Sequence, residues 1–308
     1  MTAVLSGFAV IFLVIAAGYL LGRTGVLGAA GQQVITRLVF YLATPALLID
    51  VVSRADPAQL FSAGLGVAAG SAVLVGAAYA LAARTVWRRP WPETTVGALS
   101  ASYLNGGNLG IPIAVFVLGD AALVAPVMLF QIIVYAPVAL TVLDVTTTGR
   151  AGAAGQVARS ILANPIVWGG LIGLALSLAG TTAPGPLGEA VTLVGGAAVP
   201  GALVAFGLSL AGARVLQRGV SPRRDVALAA VGKALVQPAV AYLLARFGFG
   251  LTGGELSAVV VVAALPTAQN VFVYASRYGR GEVLARDTGL VTTVAAVPII
   301  AGIAAVLG

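Results

Sequence analysis

The chain has 308 residues, of which 59% are hydrophobic and only 9% charged, and its mean hydropathy is +1.03. A soluble domain carries about 25% charge, so this chain has too few charges to coat a water-facing surface and needs lipid as the solvent for most of its perimeter. Basic residues outnumber acidic ones 17 to 10, and both Cys and His are absent, which excludes disulfides, thiol nucleophiles, Cys or His metal ligands and a His proton relay.

Apolar runs follow one another along the chain at Val4–Leu21, Val34–Val52, Leu60–Ala83, Thr94–Leu118, Ala121–Val145, Ile161–Gly180, Leu187–Ala211, Val226–Ala245, Leu256–Ala275 and Thr288–Leu307. Each is close to the roughly 20 residues that cross a ~30 Å hydrocarbon layer as a helix. None shows the strict alternation of a barrel strand. The expected fold is therefore an all-α membrane protein of ten spans. The first run has no basic residue before it and no cleavage motif after it, so it reads as span 1 rather than as a removable signal peptide.

The basic residues sit in the gaps between runs, which argues against nucleic acid and for topology. Arg23, Arg84, Arg88, Arg89, Arg150, Arg159, Arg214, Arg218, Arg223, Arg224, Arg277, Arg280 and Arg286 follow odd-numbered spans, and Arg37 opens span 2 on the same side. Only Arg54 and Arg246 follow even-numbered ones. Positive residues stay on the cytoplasmic side, so the expectation is a multi-pass protein of a bacterial inner membrane with both termini outside.

The gap 146–160, rich in Gly, Ala and Thr, divides the chain into residues 1–145 and 161–308, five spans each. An odd number of spans per half makes the halves an inverted pair. Prolines mark the correspondence. Pro45 in span 2 and Pro200 in span 7 are 155 residues apart, and Pro112 in span 4 and Pro266 in span 9 are 154 apart.

Chemistry is expected where spans 4 and 9 are interrupted. Span 4 contains Asn105, Gly106, Gly107, Asn108, Gly110 and Pro112, and span 9 contains Pro266, Gln269 and Asn270. Gly costs about 1 kcal/mol and Pro about 3 kcal/mol against Ala inside a helix, and Pro112 displaces the carbonyl of Asn108. Broken backbone at membrane depth survives only within protein or beside a water-filled cavity. Two such breaks in inverted halves predict a midplane site, with free helix N-termini and the amides of Asn105, Asn108, Gln269 and Asn270 turned to an anion. The structural alternative is a pair of proline kinks with amides tying helices together.

These segments carry a resemblance. The chain resembles the auxin efflux carrier family, which includes plant auxin exporters and many bacterial members. The likeness runs from span 1 to span 10 and rests on Arg37 through Leu48 around Pro45, on Asn105 with Gly110-Ile111-Pro112, on Leu265-Pro266, and on Asn164-Pro165. It implies two inverted five-helix repeats with crossed broken helices, the fold of bile-acid-type transporters and sodium/proton antiporters. It further implies a scaffold of spans 1, 2, 6 and 7, an elevator of spans 3–5 and 8–10, a homodimer through the scaffold, and a small carboxylate substrate held near Asn105. Gln131 and Tyr135 match the family's polar pocket positions, although the family has them one residue further apart. On their own they share a helix face and serve equally well as a structural pair. Thr44 beside Pro45 would line the scaffold wall, or would simply bond back to its own helix.

Lys233 is the only lysine and lies inside span 8. It is either a fixed intramembrane cation or a side chain snorkelling to the inner face. Asp50 and Asp144 lie near span ends, where solvation accounts for them. No Asp or Glu neighbours either interruption, so the expected function is export of small organic acid anions driven by the membrane potential. The alternatives are a sodium- or proton-coupled symporter of the same anions and, in another class, a channel or membrane sensor. Facing Asp pairs and acidic metal clusters are lacking, so neither an enzyme, a metal nor a cofactor is expected.

Overall fold

The computed structural model describes residues 2–28, 30–54, 63–148, 162, 165–211 and 216–307. These residues are almost entirely helical. We number the helices α1 (Thr2–Thr24), α2 (Gly31–Arg54), α3 (Ala63–Thr85), α4 (Trp91–Ser102), α5 (Gly106–Leu118), α6 (121–148), α7 (Pro165–Leu178), α8 (Gly185–Leu210, with a turn at Ala197), α9 (Arg223–Gly248), α10 (Gly253–Ala263), α11 (Gln269–Tyr278) and α12 (Glu282–Leu307). The described residues form no sheet; their only strand-like pairing is one antiparallel bridge, Leu104 with Thr267. Five helices, α2, α3, α8, α9 and α12, are continuous, long and apolar enough to cross a membrane. Expected span 4 is divided between α4 and α5, and span 9 between α10 and α11. The last helix starts at Glu282, before the expected Thr288, because its first turn is polar and escapes a reading by hydropathy. Asn164 and most of the expected linker, residues 149–160, lie outside the described residues, while α6 runs past the expected boundary at 145 to Thr148.

Prolines shape these helices in a repeated way. Pro45, Pro112, Pro137 and Pro238 each follow a five-residue π-turn that ends two residues earlier: Val39–Ala43, Gly106–Gly110, Gln131–Tyr135 and Gly232–Val236. A proline cannot donate to the carbonyl four residues back, and its ring collides with that carbonyl. Widening the preceding turn moves the carbonyl aside without ending the helix.

The chain forms two compact units. Unit 1 comprises Met1–Ser62, Gly106–Leu129 and Ser160–Ala213, and unit 2 comprises Ala63–Asn105, Phe130–Arg159 and Arg214–Gly308. In unit 1, α1 packs along the second half of α8, and α2 packs along α7. The first contact depends on two glycines. A Cβ on Gly18 would lie 2.5 Å from the Val204 carbonyl oxygen, and one on Gly207 would collide with the Ile15 carbonyl. Lipid gives no hydrophobic drive between helices, so such close backbone approach is what dispersion forces require.

Unit 2 is built around α4. Val96, Leu99 and Tyr103 pack with Leu143 of α6 and Val271 and Ala275 of α11, and Tyr79 of α3 lies against Gly97. Polar pairs fasten the ends of this unit. Arg89 donates to both oxygens of buried Asp225 at 3.0 and 2.6 Å, and Tyr278 donates to Asp144 at 2.7 Å. The hydrogen bonds and charge of Asp225 push the Arg89 guanidinium above its already high value.

Candidate functional site

Helix α4 stops at Ser102, and Tyr103 turns to extended backbone at φ −85°, ψ 112°. Leu104 and Asn105 continue through the gap before α5 begins at Gly106. In the second half, α10 stops at Ala263 and the chain passes through Leu265, Pro266 and Thr267 before α11 begins at Gln269. The two extended stretches cross and pair: Asn105 N–H donates to the Pro266 carbonyl at 2.8 Å, and Ala268 N–H donates to the Tyr103 carbonyl at 3.0 Å. The break in span 4 is therefore at 103–105, not across the stretch from Gly106 to Pro112. Gly106, Gly107, Asn108 and Gly110 are helical, and Pro112 follows their π-turn within α5, which makes room for its ring without ending the helix. Pro266 does lie within the break of span 9.

An interrupted helix leaves its last carbonyls without N–H partners, and in a membrane interior each costs several kcal/mol. Here nearly every one is matched. At the end of α4, Tyr103 N–H serves Leu99 at 2.8 Å, the Thr267 hydroxyl serves Ser100 at 2.6 Å, and Gln237 Nε2 serves Ser102 at 3.1 Å. At the end of α10, Ala264 and Leu265 N–H groups turn back on Val260, Val261 and Val262. The Ala263 carbonyl receives Lys233 Nζ at 2.8 Å. The freed Thr267 N–H donates to the Thr292 hydroxyl of α12 at 3.1 Å. Lys233 and Gln237, one turn apart on α9, thus cap the carbonyl ends of the two half-helices α10 and α4. Lys233 Nζ thereby sits at the negative end of the α10 dipole. Lys233 is fully buried, so the snorkelling alternative is overturned: its partner is a helix end, not interfacial water.

Beside the crossing lies a column of rings. Tyr103 and Tyr135 stack with centroids 5.8 Å apart, Phe130 and Tyr135 likewise at 5.8 Å, and Tyr274 meets Tyr103 edge-on at 6.3 Å. The Tyr135 hydroxyl shares a 2.6 Å hydrogen bond with Ser102 Oγ. The Tyr103 hydroxyl faces Tyr274 and Asn270 without making a hydrogen bond of good geometry to either. Gln131, at the head of the π-turn before Pro137, is buried, and its Nε2 has no hydrogen-bond partner among the described residues. Buried amide groups are generally paired, so Gln131 presents a donor that no described residue receives.

The sequence-expected residues fall as follows. Asn105, Gln131, Tyr135, Gln269, Asn270, Lys233 and Pro266 all belong to unit 2, with Asn105 buried in the break and Gln269 and Asn270 half-buried at the first turn of α11. Thr44, Pro45, Asn108, Pro112 and Pro200 belong to unit 1; Thr44 is buried in α2 and Asn108 half-buried in α5. Asp50 is engaged by Arg54 at 2.7 Å and by the Thr192 hydroxyl at 2.9 Å. Sequence reasoning missed Gln237, Thr267 and Thr292, and it named Tyr135 without the rings of Tyr103, Phe130 and Tyr274 that form a column with it. Gln237 had a legible signal, one helical turn after the only lysine and next to a proline. Thr267 and Thr292 had none, since their partners are backbone groups distant in the chain.

A family model described as membrane transport protein matches residues 3–304. The chain belongs to this family, that of the auxin efflux carriers. Curated relatives extend over the same length. The "Putative malonate transporter" of Rhizobium meliloti is 28% identical over 97% of this chain and 93% of its own. An "Uncharacterized transporter" of Methanothermobacter thermautotrophicus is 27% identical over 86% of this chain and 85% of its own. The "Uncharacterized transporter YfdV" of Escherichia coli K12 is 25% identical over 87% and 86%. This family member is accordingly a multi-pass membrane transporter with a small-molecule substrate, and not an enzyme. Its backbone crossing, with two capped helix ends and an unanswered amide donor, is the candidate site.

Proposed function

We propose that this transporter exports small organic acid anions, short dicarboxylates of the malonate type among them, driven by the membrane potential without a coupled proton or sodium ion. The observation that carries the reading is the way the crossing is closed. Two carbonyl-terminated half-helices converge on α9, where the end of α10 receives the buried Lys233 Nζ and the end of α4 receives the neutral Gln237 amide. These resident donors occupy the helix ends that a coupling cation would otherwise serve, and they stay with the protein through a transport cycle. Gln131, Asn105 and Asn270 supply neutral donors suited to a carboxylate, and the α11 N-terminus adds partial positive charge. The malonate name of one relative supports the substrate class.

Energetics support export. Moving one negative charge out gains about 2.3 kcal/mol per 100 mV, a roughly fifty-fold gradient, and a dianion gains about twice that energy. Our topology has ten spans, both termini outside and a bacterial inner-membrane location, following the arginine distribution. Spans 1, 2, 6 and 7 act as a dimeric scaffold, and spans 3–5 and 8–10 move with the crossing as an elevator. The membership of unit 1 supports that scaffold, although unit 1 also takes in residues 106–129, which the family pattern assigns to the moving part.

Proteoliposomes loaded with radiolabelled malonate test the reading. Efflux should follow an imposed potassium-diffusion potential at equal pH and without sodium, and Asn105→Ala should abolish it. Transport that demands a pH or sodium gradient at zero potential refutes the uncoupled mechanism, and failure to move any small carboxylate refutes the substrate class.

A further inference from the structure

The loop joining α3 to α4 reads Val86-Trp87-Arg88-Arg89-Pro90-Trp91. The Arg89–Asp225 pair holds it against the start of α9, which contributes Arg223 and Arg224. Arg84 joins this cluster by donating to the Arg89 carbonyl at 2.5 Å, with its guanidinium 4.8 Å above the Trp91 ring. Arg223 donates to the Leu216 carbonyl at 2.7 Å. Five arginines therefore share one patch with a single carboxylate, Asp225, whose two oxygens are both taken by Arg89. Glu93, the next acid along α4, is engaged by Arg280.

Only Arg89 of the patch has an anionic partner among the described residues, Arg84 and Arg223 being held by carbonyls. Arg88 and Arg224 are both exposed, and each adjoins in sequence one half of the Arg89–Asp225 clamp, of which Asp225 is buried and Arg89 exposed. Arg88 is held at φ 52°, a left-handed conformation unusual for a residue with a Cβ. Trp91 is 49% exposed and Val86 69%, at the mouth of two membrane-length helices. Indole rings with one polar edge prefer the headgroup level of a bilayer, and planar guanidinium groups bind phosphate oxygens in pairs. Fixed positive charge, an exposed indole at the same end, and two nearby carboxylates, Asp225 and Glu93, already engaged by Arg89 and Arg280 together describe a receptor for an anion anchored in the membrane.

We propose that this end of unit 2 binds the headgroup phosphate of an anionic phospholipid, with Arg88 and Arg224 as phosphate ligands and Trp91 seated at the acyl–headgroup boundary. The site is separate from the crossing and does not depend on which substrate is transported. Anionic headgroups attract each juxtamembrane arginine by an amount equal to about a fivefold change in affinity, and salt weakens the attraction.

The test uses the full-length protein in a neutral detergent, titrated with phosphatidylglycerol, phosphatidylcholine or inorganic phosphate. Thermal stability and retained lipid by native mass spectrometry are the readouts. Phosphatidylglycerol should raise the melting temperature and remain bound, phosphatidylcholine and inorganic phosphate should not, and 0.5 M salt should reduce the effect. Arg88→Gln with Arg224→Gln should lower phosphatidylglycerol affinity at least tenfold, while Arg246→Gln, an exposed arginine at the other end of α9, should leave it unchanged. Equal effects of the two lipids, an equal effect of free phosphate, full retention by the double variant or an equal loss in Arg246→Gln would each overturn the proposal.

Discussion

Replacing Thr267 by Val tests whether the crossing depends on side chains that serve foreign backbone. The two residues have nearly the same shape, so no cavity opens and the change removes one hydroxyl. That hydroxyl donates to the Ser100 carbonyl at 2.6 Å, both residues being buried. Ser100 stands three residues before α4 gives way to extended chain, and no backbone N–H among the described residues reaches its carbonyl. The variant therefore strands a buried acceptor, which costs about 1–3 kcal/mol. Thr141→Val is the matched control. Its hydroxyl donates to the Pro137 carbonyl at 2.8 Å within α6, but that carbonyl keeps its place in a continuous helix, so the cost should be within about 0.5 kcal/mol. Chemical or thermal unfolding in detergent should show Thr267→Val less stable than Thr141→Val by about 2 kcal/mol. Transport per folded molecule should fall in the first variant only. Equal stability of the two would show that the Ser100 carbonyl needs no such donor, and the account of the crossing given above would be wrong.

Other substitutions separate stability from transport. Gln131→Leu removes a buried donor that has no partner, so unfolding should be unchanged or harder, by up to about 2 kcal/mol, while the KM for malonate in proteoliposomes rises about tenfold; a stability loss with unchanged KM would assign Gln131 to structure. Lys233→Met keeps the stem and deletes the ammonium that caps α10. Escape from burying a charge offsets the lost cap, so we expect folding within about 2 kcal/mol of the parent but a drop of at least tenfold in potential-driven efflux, read at matched protein density. Gly207→Val drives a side chain into the Ile15 carbonyl and should abolish the folded monodisperse fraction in size-exclusion chromatography, whereas Gly196→Ala, with open space at its Cβ, should leave it intact.

Much of this architecture could be read from residue types. Long apolar runs and uneven arginines pointed to a helical membrane protein, and the pairing of Pro112 with Pro266 drew attention to the right two spans. The exact break in span 4 was misread because Gly and Pro were both counted as helix breakers. Pro112 is accommodated by the π-turn before it, to which the glycines at 106, 107 and 110 adapt; the actual break precedes them, at residues whose propensities are ordinary. What stops α4 at Ser102 is tertiary. The donors for its last carbonyls are Thr267 and Gln237, 167 and 135 residues away in the chain, and no local pattern announces them. Lys233 was noticed for its charge, but the choice between interface and interior turned on its distance from the end of α10, which only a folded chain supplies.

One rod, α9, holds the loose ends of two severed ones. Because Lys233 and Gln237 are a single turn apart, sliding either half-helix alone would tear a buried cap from its socket, and tilting α9 would disturb both at once. The knot of backbone in unit 2 is consequently braced at both of its helix ends by one neighbour, which is what the elevator mechanism proposed above requires of the piece it carries.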